Sequence, residues 1–319
     1  MDLRTVARQG CHHCRQAGLI ALLLCLTAVA WAGDIFQWRD ADGKLHFGDA
    51  PPDQEQVEDV SDRYDAGLPF RVIIEGVNYR VPPAVRDHIN ISVRKIFTIY
   101  RQALGVSFDQ RQDFRIVIYG SESEFRQYQQ QVAPVLENAS GFYNSSNNQI
   151  TTWGMPEPQL LALVTHEASH AISASEGRWI PTWLNEGLAE YFEGMHVFGL
   201  SAEIHTHRYW LRLLKRAGYQ SRDPNLGRYL TVDHADWYRA DGGDGSLSYA
   251  TSWSLVYFLM DSQQGRSLLE AILTRARMTP MPLTDSAGFI DRRWPGGLAA
   301  LTREWQAWLA SVEQDRHRY

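Results

Sequence analysis

The chain has few cysteines, no long apolar segment and no block of basic residues. Its three cysteines, Cys11, Cys14 and Cys25, all lie within the first 32 of 319 residues, so the rest of the chain contains no thiol. No apolar stretch reaches the roughly 20 residues that a membrane-spanning helix needs. A net charge of −6 without a basic cluster argues against binding to nucleic acid or to anionic membranes. These absences leave a globular protein without a membrane span.

The first 32 residues have the pattern of a secretory signal peptide. Arginines precede an apolar run at residues 17–30, and the segment closes on Ala30-Trp31-Ala32. A retained membrane anchor is the alternative, but the run is shorter than the roughly 20 residues such an anchor requires. We expect cleavage after Ala32, which removes three arginines and one aspartate and changes the net charge from −6 to −8. The protein is therefore expected to be exported.

A small β unit follows the leader. Residues 34–52 alternate apolar and polar positions on both sides of Asp42-Gly43, which predicts a hairpin. The segment resembles the DUF4124 module of exported bacterial proteins, through Phe36, Trp38, Asp42, Gly43, Asp49, Pro51 and Pro52. The resemblance implies export, with the periplasm favoured, and no particular activity. The acidic residues 53–65 are interpreted as a linker, so that the predicted units are 1–32, 33–65 and 66–319.

The first part of residues 66–319 predicts strands and helices in alternation. Residues 71–75 and 114–119 have the pattern of strands, and residues 81–104 carry apolar side chains at helical spacing. Ser121 followed by Glu124 is a capping-box start for another helix.

The second part is mainly helical. Residues 141–153 predict one more hairpin, and from Glu157 onward the apolar spacing is that of helices. The predicted fold class is α+β, with a small mixed sheet layer followed by a mainly helical half.

One of these helical segments carries the pattern HExxH. Residues 160–172 read LLALVTHEASHAI, in which His166, Glu167 and His170 occupy the defined positions. Residues four apart lie on one face of a helix, so both imidazoles can bind one ion while Glu167 faces a water molecule. Zinc accepts two imidazoles and a carboxylate and keeps a fourth position open. The pattern predicts a zinc site in which Glu167 is the catalytic base.

A second segment offers the third ligand. Residues 181–194 read PTWLNEGLAEYFEG and have helical spacing, and fifteen residues separate His170 from Glu186. That separation allows one helix to end, the chain to turn and a second helix to return to the same ion. The alternative is that Glu186 is a solvated acid near a helix start.

These two segments resemble the gluzincin superfamily of metallopeptidases, specifically the peptidase MA-like group that includes DUF1570-type proteins. The matching residues are His166, Glu167, His170, Pro181, Trp183, Glu186, Gly187, Ala189, Glu190 and Tyr191, with further agreement at 141–143, 147–152, 249–253, 255–256 and 258–259. The likeness spans residues 70–275 approximately.

The resemblance implies a zincin-like fold in which His166, His170 and Glu186 hold one zinc ion per chain. It also implies that Glu167 activates water and that an extended peptide lies along an edge strand. Gly141, Phe142 and Tyr143 would provide that strand here. The metzincin pattern fits less well, since it requires Gly at position 173 and His at 176, where this chain has Ser173 and Glu176.

Two supporting roles are more open. Glu190 lies one helical turn after Glu186 and could accept a hydrogen bond from a ligand imidazole, or it could be a surface carboxylate. The resemblance implies a downstream Tyr or His that stabilises the oxyanion, and we assign this role to Tyr249, with core packing as the alternative. The other candidates are His196, His205, His207 and His234.

The expected activity is zinc-dependent hydrolysis of peptide bonds in a peptide or protein substrate. Zinc would polarise the carbonyl and a bound water, and Glu167 would take the water's proton and pass it to the leaving amine. The alternative is an envelope binding or assembly protein that retains a zincin fold without turnover, although such a module has no need of Glu167. The sequence leaves open the substrate, the choice between endo- and exopeptidase, and the oligomeric state.

Overall fold

The chain divides into two compact units, Met1–Tyr64 and Asp65–Tyr319. The computed structural model describes residues 36–39, 45–48 and 57–59 of the first unit, and in the second unit residues 70–319 except 109–111, 137–138, 177–179, 200, 233–235, 238–244 and 280–282. Within these ranges no helix combines the length and the apolar character that crossing a membrane requires.

The first unit contains a three-stranded antiparallel sheet. Strand β1 (Phe36–Arg39) pairs with β2 (Leu45–Gly48) on one side and with β3 (Val57–Asp59) on the other. The hairpin predicted around Asp42-Gly43 is therefore confirmed. The prediction of a linker over residues 53–65 is wrong at β3, because β1 offers a second edge that composition alone does not reveal.

The second unit begins with a four-stranded mixed sheet, as predicted. Its order is β4-β5-β7-β6, with β4/β5 and β5/β7 parallel and β6/β7 antiparallel. Strand β6 is therefore an edge strand. The elements of this half are β4 (Phe70–Val77), α1 (Pro83–Ala103), β5 (Gln112–Tyr119), α2 (Glu122–Val132), a 3₁₀ turn (Pro134–Leu136), β6 (Gly141–Asn144) and β7 (Gln149–Trp153).

Helices α1 and α2 begin where local signals place them. Pro83 stands in the first turn of α1, where its missing N–H costs no hydrogen bond. Ser121 caps α2, since its Oγ accepts a hydrogen bond from the backbone N–H of Glu124 at 3.3 Å. The apolar stripe of α1 is buried, and it includes Val85, Ile89, Val93, Ile96 and Tyr100.

The rest of the unit is mainly helical, which confirms the α+β class. The helices are α3 (Glu157–Glu176), α4 (Thr182–Glu193), α5 (Arg208–Arg216), α6 (Leu226–Tyr229), α7 (Ser246–Met260), α8 (Gln263–Met278), α9 (Ser286–Asp291) and α10 (Gly297–Ser311). A second small sheet, which the sequence pattern does not predict, contains β8 (Met195–Phe198), β9 (Ser201–His205) and β10 (Arg316–Arg318) in the order β10-β9-β8.

Helix α3 is held from two sides. The hydroxyl of Tyr100 on α1 lies 2.9 Å from Ser169 Oγ and 3.0 Å from Ser173 Oγ, and these two serines of α3 are buried. Helix α4 packs against α3 and also against α7. The Tyr100 ring stacks on Phe192 of α4 with 5.3 Å between ring centres. Helices α1 and α4 thus fix the orientation of α3 about its own axis.

Candidate functional site

Helix α3 places the HExxH residues at the floor of a cleft. Apolar residues cover most of its surface and are buried, among them Leu160, Val164, Ala168 and Ile172. Its polar side chains His166, Glu167 and His170 line a cleft of about 1040 Å³ instead. The helical spacing therefore brings these three residues together, as the sequence predicts.

Glu186 reaches the same place from α4. Its side chain is buried, with 5% of the residue exposed, and its Oε2 lies 3.7 Å from His170 Nε2. His170 Nε2 lies 3.2 Å from His166 Nε2. One ligand atom from each of the three residues falls within 4.8 Å of the other two. The predicted set of His166, His170 and Glu186 is thus assembled across two helices.

The spacing and the chemistry of these donors fit a zinc ion. Two nitrogens bound tetrahedrally at a zinc–nitrogen distance of roughly 2.0–2.1 Å are about 3.3 Å apart. The two Nε2 atoms stand 3.2 Å apart, so the imidazoles already have that spacing. The Glu186 oxygen is slightly farther from His170, at 3.7 Å. Two imidazoles and one carboxylate leave the fourth position that a catalytic site needs.

The other nitrogen of His166 faces a carboxylate that the sequence analysis misses. His166 Nδ1 lies 3.0 Å from Glu193 Oε2, within hydrogen-bond distance, and 3.9 Å from Glu190 Oε1, beyond it. Glu190, the predicted partner, accepts a hydrogen bond from Trp210 Nε1 at 2.8 Å. Glu193 follows Glu186 by seven residues and so lies on the same face of α4, which is the sequence signal that could have identified it.

The charges around His166 favour a positive charge at this position. Burial by itself lowers the pKa of His166, but the hydrogen bond with Glu193 and the charges of Glu167 and Glu190 together raise that pKa to about 10. Burial raises the pKa of Glu190 to about 7, and the His166 charge partly offsets this. The raised pKa of His166 thus reflects the carboxylates that surround it.

The cleft also contains the predicted substrate strand and the predicted oxyanion group. Gly141, Phe142 and Tyr143 of β6 line it, and so does Tyr249 of α7. A Cβ at Gly141 would lie 2.6 Å from Leu163 Cδ2, so this glycine allows β6 to approach α3 closely. The edge strand therefore runs directly beside the helix that carries His166 and Glu167.

The other histidines take up different positions. Within the part of the chain that the structure describes, none of His196, His205 and His207 lines the cleft. His196 and His205 lie on the β8–β9 hairpin with their rings 5.4 Å apart. His207 caps α5, because its Nδ1 accepts a hydrogen bond from the backbone N–H of Trp210 at 3.2 Å. His234 falls outside the described residues. Among the candidates in the described residues, Tyr249 is thus the one that lies in the cleft with the HExxH residues.

Gly187 lets α4 carry Glu186 into the site. A Cβ at this position would lie 2.6 Å from the backbone oxygen of Ser252 and 2.7 Å from Val256 Cγ2, both on α7. Alanine is favoured over glycine in a helix by about 1 kcal/mol, whereas overpacking costs about 1–3 kcal/mol. The steric cost dominates here, because a backbone carbonyl cannot rotate out of the way.

We expect Gly187→Ala to lower the free energy of unfolding by about 1–2 kcal/mol and to weaken zinc binding by displacing Glu186. Chemical denaturation and zinc titration measure the two effects. The matched control is Gly227→Ala on α6, where a Cβ would meet only Leu298 Cδ2 at an ordinary 3.6 Å. A Gly187→Ala protein as stable as the unchanged protein would show that α4 and α7 are not in close contact.

Two segments of the chain match known families. Residues 22–65 match a family described as "Domain of unknown function (DUF4124)", and residues 160–282 match one described as "Protein of unknown function (DUF1570)". The resemblance to DUF4124 is confirmed over more residues than expected, and the resemblance to DUF1570-type proteins over fewer. The DUF1570 match contains all of α3 except its first three residues, as well as α4 and Tyr249, but not β6. No curated protein matches the chain at a significant level.

Proposed function

We propose that the protein is an exported zinc-dependent metallopeptidase that hydrolyses peptide bonds in the cleft beside α3. One observation carries the proposal, namely the convergence of one ligand atom each from His166, His170 and Glu186, with Glu167 in the same cleft. A binding or assembly protein has no use for a carboxylate at position 167. The periplasm is the proposed location, on the evidence of the leader and of the DUF4124-type segment.

The protein's own groups have distinct tasks in this proposal. His166, His170 and Glu186 hold the metal, which supplies charge stabilisation for the developing oxyanion. Glu167 accepts a proton from the attacking water and returns it to the leaving amine as the C–N bond breaks. The Tyr249 hydroxyl donates a hydrogen bond to the oxyanion.

Strand β6 is the proposed binding surface for the substrate backbone. Among the described strands β6 pairs with β7 alone, so we expect the N–H and C=O groups of its other edge to be available to an extended peptide. The residues of β6 that line the cleft are Gly141, Phe142 and Tyr143. A peptide paired with this edge passes next to Glu167.

Incubation with a mixed peptide library, followed by mass spectrometry, tests the proposal. We expect the zinc-loaded protein to cleave peptide bonds, and ortho-phenanthroline to stop cleavage until zinc is restored. The meta isomer of phenanthroline, which does not chelate, is the matched control and should have no effect. The position of the cut bonds distinguishes an endopeptidase from an exopeptidase.

The same experiment distinguishes a peptidase from the alternative function, that of a binding or assembly protein. A zinc-loaded protein that cuts no peptide would favour an envelope binding or assembly protein with a zincin fold. Cleavage that persists in the chelator would point to chemistry that needs no zinc.

A further inference from the structure

Helix α4 turns three carboxylates towards the histidines of α3. Glu186, Glu190 and Glu193 are spaced four and three residues apart, so they lie along one face of the helix. Glu186 lies near His170, whereas Glu190 and Glu193 both lie on the Nδ1 side of His166. The two ring nitrogens of His166 thus face different partners.

A hydrogen bond at Nδ1 decides what Nε2 can do. A neutral imidazole carries one proton, and if Nδ1 donates it to a carboxylate, Nε2 keeps its lone pair for a metal. The same hydrogen bond fixes the rotation of the ring. In this structure Nδ1 of His166 lies 3.0 Å from Glu193 Oε2, and Nε2 faces His170 at 3.2 Å.

We propose that Glu193 is the positioning residue for His166, holding the ring so that Nε2 is presented to the metal. The inference rests on the proposed zinc centre and adds to it a residue seven positions after the third ligand. Among the described residues, the Glu193 side chain has no other hydrogen-bond partner.

A hydrogen bond from α5 keeps Glu190 from positioning His166. Its Oε2 accepts the hydrogen bond from Trp210 Nε1 at 2.8 Å, while its Oε1 stays 3.9 Å from His166 Nδ1. The Trp210 ring is itself fixed, because it stacks on His207 with 5.1 Å between ring centres. Glu190 thus connects α4 with α5, and Glu193 connects α4 with the histidine.

Substitutions at Glu193 test the inference in the protein that lacks only the expected leader. With 39% of its side chain exposed, Glu193 can be replaced with little effect on folding. We expect Glu193→Ala to weaken zinc binding by about 10- to 100-fold, and Glu193→Gln, whose carbonyl still accepts a hydrogen bond, to weaken it less. Competition with a coloured chelator measures the affinity.

Nitrogen-15 NMR of labelled histidines supplies a readout that a merely structural role would not change. In the zinc-loaded protein we expect the chemical shift of the His166 Nδ1–H group to change in both variants. The change should be larger in Glu193→Ala than in Glu193→Gln. Glu203→Gln is the matched control, because Glu203 forms a similar pair with His205, at 3.2 Å, outside the cleft. It should change neither the zinc affinity nor the His166 signal.

The outcomes separate this inference from the proposed function. If the Glu193 variants equal the unchanged protein in zinc affinity and in the His166 signal, the inference is overturned while the zinc centre stands. The inference is also overturned if Glu190→Gln causes the larger loss of affinity. An unchanged protein that binds no zinc overturns both.

Discussion

Replacing Glu167 with glutamine is expected to abolish peptide cleavage and to leave zinc binding intact. The amide has the size of the carboxyl group but cannot accept the proton that the attacking water must lose. Loss of a general base lowers kcat by about 10²- to 10⁴-fold, which raises the barrier by about 3–5 kcal/mol. Zinc should remain bound, because the three converging donors are His166, His170 and Glu186.

Steady-state cleavage of a library peptide and zinc content measured on the same sample check this expectation. Glu157→Gln is the matched control, since Glu157 lies on the same helix, exposes 44% of its side chain and does not line the cleft. The Glu157→Gln protein should cleave the peptide at the same rate as the unchanged protein. Cleavage by the Glu167→Gln protein at a comparable rate would refute the assignment of Glu167 as the base.

Replacing a ligand should remove the metal itself. We expect His166→Ala and Glu186→Ala to weaken zinc binding. The loss of affinity should exceed the roughly 10- to 100-fold that results from removing a residue that only forms a hydrogen bond with a ligand. The Glu186 variant is the sharper test, because this residue is recruited from a different helix. The unchanged protein should carry one zinc per chain when it is prepared without chelators.

Zinc content after dialysis and competition with a coloured chelator measure these losses. His205→Ala is the matched control, as His205 exposes 46% of its side chain and lies outside the cleft. Circular dichroism confirms that each variant is folded. If the Glu186→Ala protein retained one zinc at unchanged affinity, Glu186 would not be a ligand and the assignment of a two-helix metal site would fail.

The sequence predicts the part of the site that lies on one helix. His166, Glu167 and His170 are neighbours on α3 because helical spacing places them there, whatever surrounds the helix. The edge strand at Gly141 and the cap at Ser121 also follow from short-range patterns. These features depend on residues that are close together in the chain.

Contacts between distant segments could not be predicted in the same way. Strand β10 is not predicted from the sequence, since it is three residues long and pairs with a strand more than a hundred residues earlier. Strand β3 was interpreted as a linker for a similar reason. The pairing of so short a strand depends on a free edge elsewhere, which its own residues do not indicate.

The sequence by itself determined that His166, Glu167 and His170 lie together on α3, because a spacing of four residues follows from helix geometry. Only the tertiary structure decided which carboxylate lies within hydrogen-bond distance of His166 Nδ1. Glu190 and Glu193 both lie on the face of α4 that is turned towards His166. Trp210 of α5 donates a hydrogen bond to Glu190, whereas Glu193 Oε2 lies 3.0 Å from His166 Nδ1. That choice depends on how three helices pack against one another, and no local pattern contains this information.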